Sequence, residues 1–137
     1  MAFREKSAWI SLVTTLVVYA FYFWNVFDAH GMSGPQMLGL LTGCVVVLTV
    51  LQIVFHIAAA VRTPRAAQTP QDEREKLIAL KATNIAYYVV ASGAVLTAMG
   101  LVFGSNPFIM ANEILLFLVA AEIAKYASQI VFFRRGV

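Results

Sequence analysis

Apolar residues fill the chain in four long blocks, at about residues 8–27, 37–61, 81–103 and 112–133, and polar residues collect in the gaps between them. Each block reaches the roughly 20 residues that an α-helix needs to cross about 30 Å of hydrocarbon. The gaps "DAHGMSGPQ" at 28–36 and "GSNPFIMAN" at 104–112 are short and hold Gly, Pro and Asn, the residues that close turns. The middle gap, "RTPRAAQTPQDEREK" at 62–76, is longer and charged. Within it, Thr69 reads as an N-cap, Pro70 as the first helical residue and Asp72 as the acid three places after the cap. Nothing breaks the helix between there and Gly93, so the third helix is expected to begin outside the membrane and project about 15 Å beyond it. Its exposed turns bring Asp72 and Lys76 to an i,i+4 spacing that suits an ion pair. The pattern therefore predicts an all-α polytopic membrane protein, a four-transmembrane-helix bundle forming a single transmembrane domain over 1–137. Its helices are expected at about 8–27, 37–61, 70–103 and 112–133, with a loop over 62–76. The first block exceeds a signal-peptide core of about 7–15 residues and no Ala-x-Ala site follows it, so it is read as a retained helix.

Charge adds a sidedness to this pattern. Of ten Lys and Arg residues, all but Lys125 lie at one set of ends: Arg4 and Lys6, then Arg62, Arg65, Arg74, Lys76 and Lys81, then Arg134 and Arg135. The positive-inside rule then makes both termini and the 62–76 loop cytoplasmic, with Trp9 and Trp24 as interfacial anchors inside and outside. The same segregation explains a pI near 9.2 without a phosphate-binding face, so direct nucleic-acid binding is not expected. Composition agrees: 61% of residues are hydrophobic and 12% charged, about half the charge of a soluble domain. One cysteine, Cys44, excludes a disulfide framework and reads as a packing residue.

Lys125 directs attention to the polar positions inside the spans, which membrane proteins keep at a cost. At 100° per residue, Glu122, Lys125, Tyr126 and Gln129 share one face of the fourth helix. Thr49, Gln52 and His56 share a face of the second, Lys81, Asn84 and Tyr88 a face of the third, and Thr15, Tyr19 and Tyr22 belong to the first. Counting back from Arg134 and from Arg62 sets Lys125 level with Gln52, and Gln129 level with His56. If the second and fourth helices face each other, these residues form a polar seam with Glu122 deepest. Glu122 and Lys125, at i,i+3, fit either of two roles: a structural clip, or a group that binds a ligand, handles a proton or switches conformation. No metal site and no cofactor are expected. His56 and His30 lie toward opposite sides and exclude bis-histidine haem, and Asp28, His30 and Glu113 read as a wet outer loop. Gly39 and Gly43 form a GxxxG step, and Gly93, Ala120, Ala124 and Ser128 supply further close-packing surface.

The halves of the chain also echo one another. Lys6-Ser-Ala and Lys81-Ala-Thr open the first and third spans, and "QIVF" ends the second span at 52–55 and the fourth at 129–132. The near-constant offset predicts tandem duplication of a helical hairpin, a parallel repeat with its axis along the membrane normal.

"DEREKLIALKATNIAYYVV" followed by "AEIAKYASQIVFFRRG" resembles a family of small, uncharacterised four-helix inner-membrane proteins of bacteria and archaea. That family carries an Asp-Glu-Arg motif before its third helix and a Tyr/Phe-Arg-Arg-Gly tail, and its members are often encoded beside helix-turn-helix regulators. The resemblance covers most of the second half and only the hydropathy of the first. It implies a multi-pass protein of the bacterial inner (plasma) membrane and a cytosolic regulator held at Asp72, Glu73 and Arg74.

Three functions follow as expectations. The first is a non-enzymatic membrane sensor or regulatory protein. A seam of Glu122, Lys125, Gln129, Gln52, His56, Tyr88 and Asn84 would bind a small ligand, lipid or proton and signal through the cytoplasmic loop. The second is a small dimeric proton- or cation-coupled transporter using Glu122. The third is an accessory subunit of a larger membrane complex. Paired catalytic carboxylates, Ser–His or Cys–His sets and phosphate loops are missing from the sequence, so an enzyme is not expected.

Overall fold

A computed structural model describes residues 3–28 and 33–135, and every statement about structure below concerns these residues. The chain is all-α, with elements α1 (Phe3–Asp28), α2 (Gly34–Arg62), α3 (Pro64–Gln68), α4 (Glu73–Val102) and α5 (Pro107–Arg135). Four of these, α1, α2, α4 and α5, are long and apolar enough to cross a membrane. They form two compact units, Met1–Thr69 and Pro70–Val137. In the first α1 packs on α2, and in the second α4 packs on α5. His30, the centre of the expected outer loop, and Gly136, the end of the expected tail motif, lie outside the described residues.

All four spans exceed their hydropathy limits or shift within them, and local chemistry explains each case. The first helix starts at Phe3 rather than near residue 8 because Arg4, Glu5 and Lys6 are good helix formers that hydropathy alone ignores. The second starts at Gly34, where the Ser33 backbone N–H donates to Gln36 Oε1 at 3.1 Å and Pro35 occupies the first turn.

The start of α4 corrects the expectation of a Thr69 cap and a helix from residue 70. The Thr69 hydroxyl instead donates to the Arg65 carbonyl at 2.7 Å, closing the short α3. Preceding a proline, Thr69 is also held in extended backbone. Asp72 is the N-cap, its Oδ1 accepting from the Glu73 N–H at 2.8 Å while its own N–H reaches Glu75 Oε2 at 3.4 Å. The expected Asp72–Lys76 pair gives way to Glu73–Lys76 at 2.8 Å, because the Asp72 carboxylate is occupied by the cap. The loop of 62–76 thus contains a five-residue helix and a later helix start.

The α4–α5 turn is tighter than the expected 104–112 gap. Gly104, at φ +77°, donates to the Leu101 carbonyl at 3.2 Å, and Ser105 N–H reaches the Gly100 carbonyl at 3.0 Å. That pair of bonds is a Schellman C-cap, which needs a residue tolerant of the left-handed region. Asn106 Oδ1 then accepts from Phe108 N–H at 2.9 Å, so α5 begins at Pro107 and adds more than a turn ahead of residue 112.

Small residues set the packing of the second unit. Gly93 lies directly under Phe117, and a Cβ there would overlap the ring. Ile78 and Ala82 on α4 and Ala121 on α5 are buried along with it. In the first unit α1 buries Ala8, Ser11, Thr15, Val18 and Tyr22, a 3-4 spacing that makes one helical stripe. Gly39 and Gly43 on α2 have no atom within 4 Å of where a Cβ would stand, so the GxxxG step closes no contact here.

Candidate functional site

The second unit carries the charged half of the expected site. Residues three apart on α5 stand one above the other, and Lys125 Nζ lies 3.7 Å from Glu122 Oε2. The ammonium also sits 5.4 Å from the Tyr126 ring centroid, within cation–π range. Glu122 keeps 42% and Lys125 31% of its side-chain surface accessible. The pair is therefore made but not enclosed by the unit's own packing. Gln129, two turns on from Glu122, is half-buried on the same stripe.

Asn84 and Tyr88 do not join that packed face. Ala82 is the fully buried position of this part of α4, and Asn84 stands roughly 200° round the helix from it. Asn84 is exposed and Tyr88 is 71% exposed, its ring meeting Tyr87 edge-on at 5.7 Å between centroids. These residues share a helix face, as expected, but that face is not the one α4 buries.

The first unit carries the neutral half. His56 Nε2 lies 2.8 Å from Ser7 Oγ, a bond that ties α2 to α1, and Nδ1 lies 2.7 Å from the Gln52 carbonyl. A carbonyl only accepts, so Nδ1 carries the proton, and in the neutral ring Nε2 accepts from the Ser7 hydroxyl. Both nitrogens are thereby committed, and His56 is a helix–helix contact with no lone pair to spare. Gln52 contributes its backbone carbonyl to this bond and is half-buried. Thr49 needs no seam partner, since its hydroxyl donates to the Val45 carbonyl at 2.8 Å; Thr42 and Thr83 bond back one turn in the same way. Gln52 and His56 belong to the first unit, and Glu122, Lys125 and Gln129 to the second.

The expected docking motif is engaged internally. Asp72 caps α4, Glu73 pairs with Lys76, and Arg74 donates from Nη2 to the Phe133 carbonyl at 3.4 Å. Phe133 lies in the last turn of α5, where carbonyls lack an intrahelical partner. Arg74 therefore fastens the start of α4 to the end of α5. Glu73, 88% exposed at its side chain, is open to another molecule. The bonds from Ser7 to His56 and from Arg74 to Phe133 are inter-helix contacts that sequence reasoning missed. Among the described residues no three His, Cys, Asp or Glu side chains cluster to hold a metal ion.

In comparison with known proteins, the chain matches no family model, no curated protein and no solved structure.

Proposed function

We propose that this chain is a non-enzymatic integral membrane sensor or regulatory protein, with its basic helix ends in the cytoplasm and the polar stripe of α5 as its sensing element. The observation that carries this reading is the half-exposed Glu122–Lys125 pair. A charge near the middle of a membrane helix costs roughly 2.5–3.5 kcal/mol on insertion scales. A pair kept for structure alone would be expected to be enclosed by the helices it joins. Glu122 and Lys125 instead present a carboxylate and an ammonium outward from the hairpin, where a proton, a small polar ligand or a lipid group competes for the pair.

A route to the loop exists within the same unit. Neutralising Glu122 would release Lys125 from its partner on α5. The far end of α5 holds Arg74 through the Phe133 carbonyl, and Arg74 lies in the first turn of α4, beside the loop. A cytosolic regulator of the kind implied by the family resemblance would read that end, with Glu73 as the accessible contact. The alternative, a small proton- or cation-coupled transporter, rests on the same carboxylate and would use Glu122 to carry the coupled ion. An accessory subunit of a larger complex would need only the exposed apolar faces.

Glu122→Gln in proteoliposomes separates these readings. A sensor keeps its fold, shows no coupled flux before or after the change, and loses the effect of Glu73→Lys on partner binding. Proton-coupled flux that disappears with Glu122→Gln would replace the sensor by the transporter. Glu73→Lys is preferable to charge reversal at Asp72, which would also remove the helix cap.

A further inference from the structure

At the basic end of the first hairpin, α1 and α2 part around a cleft of about 620 Å³. Its walls are the Trp9 indole, Val54, Phe55 and Ala58, and its polar edge carries Lys6 and Arg62. Both cations are exposed, and neither makes an ion pair among the described residues. The bond from His56 to Ser7 ties the two helices together immediately beside the cleft, Ser7 following Lys6 and His56 following Phe55. The opening is therefore held at a defined width, and its volume falls within the roughly 300–1,000 Å³ of small-molecule sites.

We propose that this cleft binds an anionic phospholipid, its phosphate between Lys6 and Arg62 and an acyl chain along Trp9, Val54, Phe55 and Ala58. The chemistry is amphipathic in the required order. A guanidinium takes phosphate oxygens in a bidentate fork and an ammonium adds a point charge. Below them the wall has no charged side chain, which suits a hydrocarbon tail and excludes a polar metabolite of the same size. Basic residues at helix ends also serve topology, but topology needs no apolar cleft beneath the charges. The site lies wholly in the first hairpin and is independent of the Glu122 reading.

Native mass spectrometry of the full-length protein, released from detergent with phosphatidylglycerol or phosphatidylcholine, tests the assignment. Wild type should retain phosphatidylglycerol in preference to phosphatidylcholine. Lys6→Gln with Arg62→Gln should weaken phosphatidylglycerol retention about 25-fold, each cation contributing about fivefold near an anionic group. Arg134→Gln with Arg135→Gln removes the same charge elsewhere and should leave retention unchanged. Ala58→Phe, at an exposed position, fills the cleft with both cations intact and should also weaken retention. Equal losses from the two charge pairs, or full retention in Ala58→Phe, would overturn the site, because either result reduces it to general attraction between charges. Stabilisation by inorganic phosphate equal to that by phosphatidylglycerol would overturn the lipid assignment in favour of a free anion.

Discussion

The two hairpins share a plan and differ in what they place at its centre. Both carry "QIVF" in the later part of their second helix, at 52–55 and 129–132, and a polar bond near it joins the two helices, His56 to Ser7 in the first and Arg74 to the Phe133 carbonyl in the second. Carrying the 77-residue offset inward aligns Glu122 with Val45 and Lys125 with Leu48. Under the repeat expected from the sequence, the first hairpin has aliphatic residues where the second has an acid and a base, and its α2 is the most apolar of the four spans, at a mean hydropathy of 2.5 against 1.8 for α5. In the first unit α1 packs on α2 with Val45 and Leu48 at the aligned positions and no ionisable pair there. Close packing at glycine belongs to the second unit, where Gly93 seats Phe117, while Gly39 and Gly43 in the first stand open.

The largest break in this comparison should come from Gly93→Ala, which forces the Phe117 ring to move and should destabilise the α4–α5 hairpin by about 1–3 kcal/mol. Gly43→Ala, with open space around it, should change stability by less than about 0.5 kcal/mol, and unfolding in mixed micelles compares the two. Lys125→Leu comes next: it imports the first hairpin's Leu48 but strands Glu122, and should cost about 2 kcal/mol in the same assay. Asp72→Ala should cost about 1 kcal/mol and fray the start of α4 in amide exchange, whereas Thr69→Ala should leave that helix start unchanged. His56→Phe, which copies Phe133 into the first hairpin, should have the smallest effect, about 0.6 kcal/mol. Adding Ser7→Ala should then cost little more, since both remove one bond.

Much of the scaffold was legible in the sequence because apolar length is a strong signal. The turn chemistry was not, although it was written there. "DERE" is an Asp-x-x-Glu capping box, and it outweighed Thr69-Pro70 because Thr69 bonds back to Arg65. Asn106-Pro107 is likewise an N-cap followed by an N1 proline, hidden by a gap drawn from hydropathy. At the site, Glu122 and Lys125 could be paired from spacing alone, since both lie on one helix. Ser7 as the partner of His56 could not, because 49 residues separate them and a serine at a span's edge carries no distinctive pattern. Arg74's acceptor is a backbone carbonyl, available to any residue type at that helix end, so no side chain announces it. Thr49, which shares its helix face with Gln52 and His56, satisfies its own hydroxyl one turn back.

On the proposed reading, the charges of α5 do not serve to hold the hairpin together. The most direct test is the thermal unfolding midpoint, in micelles, of the double variant Glu122→Val with Lys125→Leu, which gives the second hairpin the residues of the first and leaves no charge unpaired. The expected midpoint is equal to or above that of wild type, as replacing an ion pair by well-packed apolar residues is often neutral or stabilising by about 1–4 kcal/mol. A midpoint lower by more than about 5 °C would contradict that reading and make Glu122–Lys125 a structural clip.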